Sequence, residues 1–181
     1  DLASTPARLR GPLDLIKLMF GGSRKTIDAE LIERSIQPLL AWADEDRRRG
    51  ARVYQTAAGL RYLLIHPPLD PADDTTAALL RSLRSDERYA TLCRVQRSFR
   101  ARLTPKPWRV GVERFNVRYE SYRDADPAFV QWLERYREAS KGHAVCRLER
   151  TIGNAHAEEL IARLTDLHDA ATGVGLDRPL A

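Results

Sequence analysis

The spacing of apolar residues changes period near Ala51, and this change constrains the fold more than any other feature of the chain. Between residues 28 and 48 the apolar side chains recur at helical spacing. Residues 52–56 and 60–66 are instead two β-prone runs that flank Ala57-Ala58-Gly59, a pattern typical of a β-hairpin. The sequence therefore predicts an N-terminal helical arm over residues 1–50 and a mixed domain over residues 51–181.

Helical and alternating segments continue to the end of the chain. Helices are predicted over about 75–84, 86–98, 126–140 and 155–171, and strands over 110–119 and 144–153. The last helix carries an apolar stripe, formed by Leu160, Ile161, Leu164 and Leu167. We therefore expect an α+β domain: a mostly antiparallel sheet of about four or five strands, with helices on one face, as a variant of the ferredoxin-like plan.

Composition is that of a globular protein. The 181 residues are 43% hydrophobic and 30% charged, and apolar runs are only a few residues long, so no membrane span is predicted. Cys93 and Cys146 lack metal-ligand spacing and lie among apolar neighbours, so we expect buried thiols. Reduced thiols suit a cytoplasmic location.

Positive charge is concentrated in residues 81–118. This segment holds eleven Lys or Arg against three acids, whereas the whole chain has a net charge of only +5. A local excess of arginine favours polyanions, acidic proteins or anionic lipid head groups as partners.

The centre of this segment has the composition of a phosphate grip. If residues 100–103 are extended, Arg100 and Arg102 point to the same side and suit two neighbouring phosphates. Prolines on both sides stiffen the loop that presents Lys106, and Trp108 can stack on a base. A solvated basic face, with Trp108 packed on the core, explains the same residues.

The predicted hairpin adds further candidates, since Tyr54, Arg61 and Tyr62 place aromatic and cationic groups on adjacent strands. An exposed sheet with such residues can stack bases, although both tyrosines can equally be buried. The full set of candidate polyanion-binding residues is Arg61, Arg97, Arg100, Arg102, Lys106, Trp108 and Arg109.

The sequence contains no grouping of histidines, carboxylates or glycines that is typical of a catalytic or metal-binding site. No pair among His66, His143, His156 and His168 has the spacing of a helical zinc site, so each is expected to be structural. The carboxylates cluster where they cap helices, and no glycine-rich loop precedes a helix. No catalytic residue, metal or cofactor is predicted.

The run from Phe99 to Arg109 (FRARLTPKPWR), with the upstream hairpin run from Tyr54 to Arg61, resembles an uncharacterised bacterial family. The resemblance covers residues 50–170 and implies no activity. The chain is also distantly similar to the palm of archaeo-eukaryotic-type primase-polymerases, which combine a sheet, an acidic pair and a basic nucleotide grip. Here no predicted strand carries the Asp-x-Asp pair that holds two divalent metals, so this similarity implies binding without catalysis.

Three functional hypotheses follow. The first is a non-enzymatic binding module whose arginine-rich surface binds nucleic acid or another polyanion. The second is a protein-interaction or membrane-proximal regulatory domain, with the N-terminal arm mediating assembly, for example as a homodimer. The third is an enzyme with a dispersed site, which the sequence favours least.

Overall fold

The computed structural model describes residues 28–66, 68–115 and 126–181. In these ranges it contains five α-helices, three β-strands and one 3₁₀ turn. In chain order they are α1 (Ala29–Asp44), β1 (Gly50–Thr56), β2 (Gly59–Ile65), α2 (Asp74–Ser82), α3 (Glu87–Gln96), the 3₁₀ turn (Pro107–Val110), α4 (Pro127–Ser140), β3 (Cys146–Gly153) and α5 (Glu159–Thr172).

The strands form one antiparallel sheet in the order β2-β1-β3. The predicted hairpin is confirmed, with Thr56 paired to Gly59 across the turn. The ladder between β1 and β3 shifts register between Val53 and Tyr54. Three strands are therefore present in the described residues, instead of the predicted four or five, and the ferredoxin-like arrangement is not found there.

The predicted strand over 110–119 accounts for part of this difference. Its first described residues continue from the 3₁₀ turn into irregular backbone up to Phe115. Its remaining residues, 116–119, lie outside the described residues.

One face of the sheet is apolar and is covered by α1. Ile36 and Leu39 are fully buried and pack in one cluster with Val53 and Ile152 of the sheet. Asp28 starts the helix by accepting a hydrogen bond from the backbone N–H of Glu30, 3.3 Å away. Residues 29–44, which the sequence assigned to an arm, are thus part of the core, while residues 1–27 of the predicted arm lie outside the described residues.

The opposite face of the sheet combines polar side chains with apolar ones such as Ile65 and Cys146, and it is covered by α5. Side chains alternate along a strand, so Arg52 and Tyr54 face away from the cluster that contains Val53. Both bond Asp169 of α5, at 2.8 Å each. The sequence predicted helices on one face of the sheet, whereas the structure has helices on both faces.

Helix α5 packs with its polar side inward. Its buried residues are Thr165, His168 and Thr172. Three residues of its apolar stripe point outward instead: Leu160 is 67% exposed, Leu164 55% and Leu167 61%. An apolar stripe normally covers a core, so this orientation needs polar contacts that hold the helix in place.

Two smaller sequence predictions can be compared with the structure. Cys93 and Cys146 are free and buried, which confirms the predicted buried thiols. Among the described residues, no helix is long and apolar enough to cross a membrane.

The core can be tested with two leucines of α1. Leu39 is fully buried and Leu31 is 44% exposed. We expect Leu39→Ala to lower the free energy of unfolding by about 2–5 kcal/mol, because it leaves a cavity under the sheet. Leu31→Ala should cost less than about 1 kcal/mol, as measured by urea denaturation. Equal losses for both variants would contradict the described packing of α1.

Candidate functional site

Two aromatic side chains of α4 hold the basic loop in place. The indole Nε1 of Trp132 donates to the carbonyl oxygen of Glu113 at 2.7 Å. The hydroxyl of Tyr136 donates to the carbonyl oxygen of Pro105 at 2.5 Å. These rings stack on each other with centroids 5.2 Å apart. The two hydrogen bonds fix both ends of residues 105–113 to one helix face.

The loop itself is a tight turn. Pro107 starts the 3₁₀ turn, where its fixed φ suits the first helical position. The backbone N–H of Arg109 donates to the carbonyl of Lys106 at 2.9 Å, and that of Val112 donates to the carbonyl of Pro107 at 2.9 Å. Gly111 ends the turn in the left-handed region, with φ of 74°. The residues between are held in a single local conformation by these bonds.

Three cations of this loop, which we call the cation cluster, lie close together: Arg102, Lys106 and Arg109. Partial burial, then the positive charges of Arg109 and Arg102, lower the pKa of Lys106. Partial burial and the charge of Arg102 lower the pKa of Arg109. None of the ion pairs within the described ranges involves these three side chains. The cluster is an accumulation of like charge.

Trp108 lies beside the cluster and is 50% exposed. The Nζ atom of Lys106 is 5.2 Å from the centroid of the Trp108 ring, within the range of a cation–π contact. An aromatic face and three cations are thus available on one loop. This is the combination that stacks a base and contacts phosphates in single-strand binding proteins.

The other arginines predicted for the site have different surroundings. Arg97 ends α3 in the left-handed conformation, with φ of 48°, and its Nη2 atom lies 3.8 Å from a carboxylate oxygen of Asp70. Arg94, one turn earlier, pairs with Asp74 at 2.8 Å. Arg100 is exposed and follows directly on this turn. Arg97 and Arg94 are therefore partly neutralised by acids near α2, unlike the cation cluster.

Arg61 lies on the sheet, and its hydrogen-bond partners are on α5 and β3 rather than on the loop. Its Nη1 atom is 3.0 Å from Nε2 of His168 and 4.0 Å from the Sγ atom of Cys146. Because a guanidinium can only donate, Nε2 of His168 accepts this hydrogen bond. His168 is therefore neutral and carries its proton on Nδ1, which donates to Asp169 at 2.9 Å.

Asp169 is the centre of a polar network between the sheet and α5. Its carboxylate accepts hydrogen bonds from the Tyr54 hydroxyl and from Nδ1 of His168, and it forms an ion pair with Nη2 of Arg52. Tyr54 is completely buried and His168 is 5% exposed. Burial, followed by the hydrogen bond to Asp169, raises the pKa of Tyr54 above its ordinary value. Because the rings of Tyr54 and His168 are closed off from solvent, we interpret their contacts with Asp169 as structural.

Sequence reasoning missed this network, although signals for it were present. Arg52 and Tyr54 alternate on one strand, and His168 and Asp169 are adjacent on a helix. Each signal is common, and only the register of the sheet brings them together. Tyr54 and Arg61, which the sequence offered as base-stacking candidates, lie under α5.

Groups for metal or cofactor binding do not come together in the described ranges. There, no three His, Cys, Asp or Glu side chains are grouped as metal ligands. His143 bonds the carbonyl oxygen of Ala139 through Nδ1 at 3.1 Å, and the ring of His66 lies 5.7 Å from that of Trp42. These two histidines contact the fold around them, as predicted for structural histidines.

The network predicts how stability depends on pH. The pKa of Tyr54 is raised from 10.0, and a group with a raised folded pKa stabilises the fold below its unfolded pKa. That contribution is lost as pH rises toward the folded pKa. We expect the free energy of unfolding to fall above pH 10 by up to about 1.4 kcal/mol per pH unit, and less steeply in Tyr54→Phe. Urea denaturation between pH 7 and 11 measures both.

The same variant has a control at neutral pH. Tyr54 donates to a carboxylate, whereas the Tyr62 hydroxyl donates to the carbonyl of Ser35 at 3.1 Å. Tyr54→Phe should cost about 1.5–3 kcal/mol and Tyr62→Phe about 0.5–1.5 kcal/mol, because bonds to charged groups are stronger. Equal costs, together with an unchanged alkaline slope in Tyr54→Phe, would show that the Asp169 network contributes little.

Comparison with known proteins adds no relative to this geometry: no family model, no curated protein and no solved structure matches the chain.

Proposed function

We propose that the cation cluster and Trp108 form a binding site for single-stranded nucleic acid, and that the protein is a binding module rather than an enzyme. The observation that carries this proposal is the crowding of Arg102, Lys106 and Arg109: partial burial first, and then the like charges of the neighbours, lower the pKa of Lys106 and Arg109. No carboxylate of the described ranges forms an ion pair with them.

Crowded cations favour an anionic partner. Like charges close together disfavour each other's charged form, and a bound phosphate removes this cost. Arginine suits the purpose because its planar guanidinium bonds two phosphate oxygens at once. Partial burial is the main cause of the lowered pKa values of Lys106 and Arg109, and the repulsion between the like charges is the part that a bound anion would relieve.

Trp108 favours a nucleic acid over a simple anion. The ring is 50% exposed, while the neighbouring Trp132 uses its indole nitrogen to hold the loop. Stacking of a base on an exposed aromatic ring does not depend strongly on base identity. A single strand can place unpaired bases on Trp108 while its phosphates contact the cations.

The rigidity of the loop supports binding as well. The bonds from Trp132 and Tyr136, and the turn at Pro107, restrict residues 105–113 before any ligand is present. Less conformational entropy is then lost on binding.

The phosphate contacts can be tested by a salt series. Three contacts on a single strand predict a slope of about −2 for log K against log salt, so affinity should fall roughly 16-fold from 50 to 200 mM salt. We expect each of Arg102→Ala and Arg109→Ala to weaken binding and to reduce the slope by about 0.7. Fluorescence anisotropy with a labelled oligothymidine measures both quantities.

Arg34→Ala is the matched control, because Arg34 is an exposed arginine on α1, distant in sequence from the loop. It removes the same charge and should leave the slope unchanged. If Arg102→Ala/Arg109→Ala binds oligothymidine with wild-type affinity and slope, the site is not where we place it. If the protein binds anionic lipid vesicles and does not bind oligonucleotides, the result would favour a membrane surface as the partner instead.

The stacking contact can be tested separately. Trp108→Ala should lower affinity for oligothymidine by about 1–3 kcal/mol, because the platform for one base is lost, while the salt slope stays the same. Trp108→Phe should retain most of the affinity, yet lose the quenching of tryptophan fluorescence by the oligonucleotide. Unchanged quenching in Trp108→Phe would mean that bases do not contact this ring.

A further inference from the structure

We infer that α5 is also an assembly surface, which pairs antiparallel with α5 of a second copy of this chain. The proposed surface, here called the leucine face, consists of Leu160, Leu164, Leu167 and Ala171. Three of its members are more than half exposed, and Ala171 is also exposed. This proposal does not depend on nucleic-acid binding, because it uses other residues.

The leucine face has the spacing of a coiled-coil seam. Its residues follow one another at intervals of four, three and four, which is the a/d pattern of two helices that pack side by side. Intervals of this kind keep one narrow stripe on a single side of the helix. On α3 the exposed apolar residues Leu92 and Val95 give only one such interval before the helix ends at Gln96.

The fold does not need this stripe for its own core. Helix α5 is already held on the sheet by Asp169 and His168, and Thr172 bonds the carbonyl oxygen of His168 at 2.7 Å. In the part of the chain that the structure describes, the leucines are therefore exposed and available to contact another molecule. An exposed apolar stripe on a helix whose opposite side is occupied by hydrogen bonds is typical of an interaction surface.

The face is complementary to itself in an antiparallel pair. A two-fold axis between Thr165 and Asp166 places Leu164 opposite the partner copy's Leu167 and Leu160 opposite its Ala171, so a large residue meets a small one at each end. All four positions of the stripe are then used. This arrangement requires no second kind of surface.

Charges beside the leucine face agree with this orientation. At about 100° per residue, Arg163 lies about 70° and Asp166 about 130° from the centre of the face, both in the same direction, and neither forms an ion pair within the described ranges. The two-fold axis brings the same flanks of the two copies together. Arg163 of one copy then lies only about 3 Å along the axis from Asp166 of the other, within reach of an ion pair.

A contact of this length is small. Helix α5 has 14 residues, which correspond to about 21 Å. Interfaces of this size are at the low end of specific interfaces, so we expect a dimer that depends on concentration.

The test is sedimentation velocity on the full chain from about 5 µM to 1 mM. We expect the wild type to shift from the mass of one chain to that of two, and Leu164→Glu to weaken dimerisation at least 30-fold. Val95→Glu is the matched control, since Val95 is 74% exposed and lies outside the face, and it should dimerise like the wild type. A wild type that stays monomeric over the whole range overturns the proposal, and so does a dimer that Leu164→Glu does not weaken.

A charge exchange tests the orientation. Arg163→Asp should weaken the dimer, because it places two carboxylates at each contact. Arg163→Asp/Asp166→Arg restores one cation and one carboxylate per contact and should return dimerisation to within about threefold of the wild type. Both variants retain the fold if their circular dichroism is unchanged. A double variant as weak as the single one would exclude the antiparallel pair.

Discussion

The position of α5 depends on one carboxylate. Asp169 accepts hydrogen bonds from Tyr54 and His168 and forms an ion pair with Arg52, and through His168 it is linked to Arg61 on the next strand. A carboxylate with three donors is well satisfied in a buried setting, whereas the same group without them would be costly. This network attaches the polar side of a helix to the sheet, with Thr165, His168 and Thr172 buried. It thereby allows the apolar side of that helix to face solvent.

The elements themselves were largely predictable. The hairpin, the last strand and all five described helices lie where periodicity placed them, with ends that differ by a few residues. What periodicity could not show is which side of a helix faces inward. For α5 the sequence indicates the leucines, but Asp169 and His168 reverse the orientation through hydrogen bonds with a strand more than a hundred residues away. Pairing across such a distance has no local signature.

The candidate site was predictable to a similar degree. The loop from Arg102 to Arg109 was recognisable by its charge and its prolines, and the structure brings its three cations together. The role of α4 was not visible, because Trp132 and Tyr136 appear in the sequence only as members of an apolar stripe. Instead, the indole nitrogen of Trp132 and the hydroxyl of Tyr136 donate hydrogen bonds to backbone carbonyls of the loop. The left-handed turn at Arg97 was also unexpected, since glycine or asparagine is usual there.

The register shift between Val53 and Tyr54 determines the composition of both sheet faces. Before the shift Val53 is paired with Arg150, and after it Tyr54 is paired with Leu148. A ladder that continued from Val53 without this shift would pair Tyr54 with Glu149 and Thr56 with Arg147, which would turn Glu149 and Arg147, in place of Leu148 and Cys146, toward Asp169. The carboxylate of Glu149 would then compete with Asp169 for its partners, and the guanidinium of Arg147 would compete with those partners for Asp169. The shift of one residue thus keeps the charged side chains of Glu149 and Arg147 off the sheet face that packs against α5.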